Sequence, residues 1–145
     1  MKTTLLSLSL LICGQVFASN GPILTKATYP GYTMLESAIS TRCEVYTDKI
    51  VKTTDVGGMV AGKVESSFTF DRTTDYQHLA FLAVNAEITV LDTRMADGAS
   101  SQYSALFDNN GQIEFALLKE TGRYIKENKS QAAAVLINFL DVVCK

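Results

Sequence analysis

Catalytic constellations are mostly absent from this chain. Histidine occurs once, at His78, with Asp75 three residues before it. On a helix that spacing puts both side chains on one face, where an aspartate can orient an imidazole as a general base. A serine would complete a hydrolytic triad, since triads assemble from distant parts of a chain. There is no GxSxG elbow, phosphate-binding P-loop, HExxH helix or dinucleotide fingerprint to mark which serine that would be. The plainer reading of Asp75 and His78 is a pair in the first turn of a helix. A single histidine cannot build a two-histidine zinc site, so no metal is expected, and no cofactor is implied. Asp108-Asn109-Asn110-Gly111 is rich in oxygen ligands, but Leu106 sits where a calcium loop would need an earlier one. Asn-Gly is instead the strongest short hairpin signal, because both residues tolerate positive φ.

Two further motifs suggest contact rather than catalysis. Tyr29-Pro30-Gly31-Tyr32 sets two tyrosines on a rigid turn, where they can offer contact area at low entropic cost. This makes it the candidate binding surface, unless the tyrosines fold back on the body of the protein. Asn128-Lys129-Ser130 matches a glycosylation sequon, but it also leads into a helix cap, which is reason enough for it.

The cysteines bear on location. Residues 1–18 read as an export signal: Lys2, then an apolar run from Leu5 to Cys13, then Val16-Phe17-Ala18 with suitable residues for cleavage. The run is short of the roughly 20 residues needed to span a bilayer, so no stable membrane insertion is expected after cleavage. Ile12 before Cys13 is too large for lipoprotein processing. Cleavage leaves Cys43 and Cys144, and an even pair in an oxidising compartment forms a disulfide. The expected location is the periplasm or the extracellular space.

Composition narrows the partners. Thirteen basic and 15 acidic residues give a net charge of −2, and loss of Lys2 makes the balance more acidic. Nucleic-acid binding needs a basic face for phosphates and is not expected. At 47% hydrophobic the chain is an ordinary globular one, of a length for a single domain.

The elements follow from periodicity and turn chemistry. Residues 19–32 hold both prolines and read as an extended N-terminal arm, with one domain over 33–145. Thr33 and Glu36 match a capping box for a short helix over about 34–40. Residues 43–56 are rich in Val, Thr, Tyr and Ile and read as one strand, turning at Gly57-Gly58. From Met59 to Phe70 strict alternation predicts a half-buried strand, dry on its Val60, Val64 and Phe68 side. Thr74 or Asp75 caps a helix over about 76–87 with Leu79, Leu82, Ala83 and Ala86 as its stripe. Ile88–Leu91 reads as a strand, 92–101 as a loop, and 103–107 with 112–119 as a hairpin. Arg123–Lys126 adds a short strand, and Ser130 caps a helix over 131–143. The expected fold is α+β: a two-layer sandwich, with an antiparallel sheet built from hairpins and two helices packed on one face.

The leading functional reading is a small exported binding or accessory protein without catalysis, acting on a protein partner or small ligand. The alternative is a small secreted hydrolase using His78 with Asp75. A third is a carrier of an apolar ligand held between the sheet and the helix over 76–87.

Overall fold

The structure, a computed structural model, describes residues 21–31, 34–69, 75–92, 98–109 and 111–145. The expected export signal lies outside them, as do Tyr32, Thr33, Thr74 and Asn110. The strands are β1 (Leu24–Tyr29), β2 (Ile39–Val45), β3 (Lys49–Val56), β4 (Met59–Ser67), β5 (Ile88–Asp92), β6 (Ser100–Asn109), β7 (Gln112–Thr121) and β8 (Tyr124–Asn128). The helices are α1 (Tyr76–Val84) and α2 (Gln131–Val143). All the described strands join one eight-stranded antiparallel sheet in the order β4-β3-β2-β1-β6-β7-β8-β5. The chain is mostly sheet with some helix.

The N-terminal segment is the largest surprise. Expected to be an arm, it supplies β1, which pairs with β2 on one side and β6 on the other. Leu24 and Ala27 are buried there, as is Ile23 just before the strand. Pro30-Gly31 ends the strand, since proline cannot donate to the next ladder position.

Three other expectations change. Residues 43–56 are two strands, because the chain reverses at Tyr46-Thr47-Asp48, where Tyr46 N–H donates to Lys49 O at 2.8 Å. That turn has no glycine or proline to announce it. The helix expected over 34–40 is one 3-10 turn, Leu35–Ser37, because Ile39 is already in β2. Strand β4 is exposed along its whole length rather than half-buried. Its alternation is real, but α1 and α2 pack on β6 and β7, with α2 also reaching β1, and among the described residues no helix lies over the far edge. Among the described residues of this segment Phe68, just past the strand, reaches the core, its ring 5.8 Å from that of Phe139.

Other elements form as their residues suggest. Gly57 and Gly58 take φ of 59° and 82°, which the β3–β4 turn requires and only glycine adopts freely. Ser130 Oγ accepts from Ala133 N–H at 3.0 Å, capping α2. Leu136 and Leu140 of α2 are fully buried, each worth about 2 kcal/mol of apolar burial. They meet Leu24, Val45, Ala105 and Leu118 of the sheet in one core cluster. Helix α1 stops at Val84, short of 87, and buries Ala80 and Ala83, whereas Leu82 of its expected stripe is 45% exposed. Among the described residues no helix is long and apolar enough to cross a membrane.

Candidate functional site

Register sets the side chains of one sheet face in three rows that run across the strands. The first row is apolar: Ile50, Val45, Leu24, Ala105 and Ala116 are successive cross-strand partners. Two residues along, Lys52, Cys43, Lys26 and Tyr103 form the second. Two further, Thr54, Thr41, Thr28, Ser101 and Thr121 form a row of hydroxyls across five strands. The Thr28 and Thr41 hydroxyls are hydrogen-bonded, and Ser101 Oγ lies 2.7 Å from Thr121 Oγ1.

The end of α2 is fastened over the second row. Cys144 forms a disulfide with Cys43, with their Cα atoms 5.8 Å apart. Asp141 Oδ1 accepts from Lys26 Nζ at 2.7 Å and from Tyr103 OH at 2.8 Å. Lys52 Nζ donates to the backbone oxygen of Lys145. Partial burial opposes the charge on Lys26, but the Asp141 hydrogen bond and the Tyr103 phenol oxygen outweigh it and raise its pKa. Burial likewise works against the Asp141 carboxylate, yet its bonds from Lys26 and Tyr103 bring its pKa below the usual value. Burial, then the bond to Asp141, pushes the Tyr103 phenol up. This cluster is thus ammonium, carboxylate and neutral phenol, and its lysine is no free amine nucleophile.

Beyond the helix end the face opens into a cleft of about 340 Å³. Lys26, Lys52, Thr28, Thr41, Thr54 and the Cys43–Cys144 bridge line it, together with Lys145. Arg42 and Thr53 border it from alternate positions, and Arg42 instead approaches Glu44 at 4.0 Å. Ammonium groups beside hydroxyl donors on a concave surface can hold a small anion. Sequence reasoning missed these residues. Their one signal is an even spacing, since Thr28, Thr41 and Thr54 lie thirteen apart, and that spacing means nothing until the two β-reversals between them are known.

The residues singled out from the sequence lie elsewhere. Asp75 caps α1, its Oδ1 accepting from the backbone N–H of His78 at 3.0 Å. The pair is therefore brought together, but through the His78 amide rather than the imidazole, and both residues are exposed. Tyr29 ends β1 next to Thr28, 43% exposed, with Pro30 and Gly31 following it at the cleft's end of the strand. Asn128 is only 5% exposed, and its amide donates to Ala83 O at 2.7 Å and Leu117 O at 3.3 Å. Its Oδ1 accepts from Ser130 N–H and Oγ, so the sequon asparagine is spent on joining β8 to both helices. Asp108 Oδ1 accepts from Gly111 N–H, closing the β6–β7 hairpin. Among the described residues no three metal-ligating side chains cluster. Comparison with known protein families, curated proteins and solved structures finds no match to the chain.

Proposed function

We propose that this is a small exported binding protein of the periplasm or extracellular space, non-catalytic, whose cleft at the end of α2 takes a small anionic ligand. In this reading residues 1–18 are the export signal, and the Cys43–Cys144 disulfide suits an oxidising compartment. The two helices pack on each other and both on β6 and β7, which supports reading them as one layer over one face of the sheet. The observation that carries the ligand class is the meeting of Lys26 and Lys52 with the Thr28–Thr41–Thr54 hydroxyls in one open cleft. Tyr29, Pro30 and Gly31 stand at its rim as a surface for a larger ligand or a partner protein.

The test is amide-resolved NMR titration of the folded, oxidised protein with inorganic phosphate and with a small dicarboxylate. Saturable shifts confined to Thr28, Thr41, Lys52 and Thr54 are expected for at least one of them. Lys52→Ala should weaken that binding about tenfold, the loss of one charge-assisted hydrogen bond. Shifts that are absent, or that survive Lys52→Ala and Thr41→Val together, would sink the anion reading.

A further inference from the structure

Strand β4 is a free edge: β3 pairs with one side of it, and among the described residues nothing pairs with the other. All nine of its residues are exposed, Val64 among them at 65%. Phe68 N–H donates to Asp48 O at 3.0 Å. The two-residue period of the strand turns the backbone of Ser66, Val64 and Gly62 the same way, toward β3. Lys63, Glu65 and Ser67 therefore turn their N–H and C=O groups outward. An extra residue, Ala61, kinks the strand where its register with Thr54 and Asp55 shifts, so the straight part of the edge runs from Gly62 onward.

Charges on an edge strand usually discourage pairing. Here they have opposite signs at a self-complementary spacing. Run antiparallel about a two-fold at Val64, a second copy of β4 sets Lys63 against the partner's Glu65, and Glu65 against the partner's Lys63. Both pairs fall on the outward-turned, hydrogen-bonded positions. Val64 then meets the partner's Val64 at the close, non-hydrogen-bonded position. Lys63 has no ion-pair partner among the described residues, whereas Glu65 already accepts from Lys49 at 3.1 Å and keeps a second oxygen. The other edge, β5, has no such match, because its one charge, Asp92, would face the partner's Ile88. We infer that the protein forms a homodimer by antiparallel pairing of β4 with β4 of a second copy, which joins two sheets into one. A pairing of one short strand buries little area, so the dimer is a weak one, favoured by concentration.

Sedimentation of the wild type from micromolar to millimolar concentration should show the mass rising toward twice that of the monomer. Lys63→Glu sets glutamate against glutamate twice and should hold the protein monomeric, and Glu65→Lys should do the same with lysines. In a mixture of the two variants, both glutamates of one chain face both lysines of the other, which should restore the twofold mass. Val64→Cys should cross-link to dimer on oxidation, since paired Cα atoms about 4.5 Å apart suit a disulfide. That last experiment stands even if Glu65→Lys, which loses its Lys49 contact, fails to fold. A wild type monomeric throughout, a Lys63→Glu variant that still dimerises, a mixture that stays monomeric, or a Val64→Cys protein that does not cross-link would each overturn the inference.

Discussion

The Asp141 carboxylate grips the Lys26 ammonium at 2.7 Å across 115 residues of chain, and so pins the last turn of α2 to one of the two central strands of the sheet. Its pKa is lowered in the fold, so the stabilisation is complete above the ordinary aspartate value of about 4. It is lost as pH falls through the lower, folded value. Lys26 is raised, so its share is complete up to the ordinary lysine value and is lost as pH rises through the higher folded one. Asp141→Asn should cost about 1 kcal/mol at neutral pH, a charge-assisted bond discounted for a carboxylate that is 47% exposed. It should also flatten the acid limb of the stability curve, measured by urea denaturation from pH 7 to about 2.

The disulfide closes a span of 101 residues. In the chain-entropy model such a loop is worth about 4 to 5 kcal/mol. Cys43→Ala with Cys144→Ala should lower the denaturant midpoint accordingly, and reductant should do the same to the wild type but nothing to the double variant.

Asn128 and Ser130 divide the junction between β8 and α2 unequally. Ser130→Ala loses a helix cap and should cost about 1 kcal/mol. Asn128→Asp keeps the oxygen that Ser130 bonds but turns a carboxylate oxygen toward Ala83 O and Leu117 O. It should cost more than Ser130→Ala in a thermal melt, because those acceptors and the new charge are left uncompensated at a buried site. Protein exported from a eukaryotic host should carry no glycan at Asn128 once folded.

Asp75 and His78 separate the binding reading from the hydrolase. Asp75→Ala should lower stability by about 1 kcal/mol through the α1 cap, while His78→Ala should leave the melting temperature unchanged. A hydrolytic activity lost in a folded His78→Ala variant would restore the enzyme reading.

Local signals in the sequence identified most elements but not their neighbours. Gly57-Gly58, Ser130 and Asp75 act within a few residues of themselves, and the hairpin and helix starts they mark are where they were expected. The Cys43–Cys144 bridge was expected once Cys13 was set aside with the export signal, and the two sulfurs are bonded in the structure. By contrast, β1 pairs with β6, and nothing in Leu24–Tyr29 states that a partner lies more than seventy residues on. The Pro30-Gly31 turn next to it suggested an arm for the same reason: turns are local and sheet centrality is not. Alternation in β4 describes a strand with two unlike faces, but whether anything covers the apolar one depends on how far the helices reach. The cleft was hidden for a compound reason. Lys26, Thr28, Thr41 and Lys52 converge only when both reversals, the central place of β1 and the docking of α2 are all known.

The sheet order also sets a timetable. Strands β1 to β4 are consecutive in sequence and adjacent in space, so this meander can zip together as soon as its residues emerge from the ribosome or a translocon. Its apolar row of Leu24, Val45 and Ile50 then has no cover until α2 arrives. Cys43, in the same meander, must wait as a free thiol through the synthesis of a hundred residues. A nascent chain of this protein is therefore a half-sheet with an uncovered apolar face and a free sulfur, the kind of partly folded species whose exposed surface and open strand edge favour misassociation.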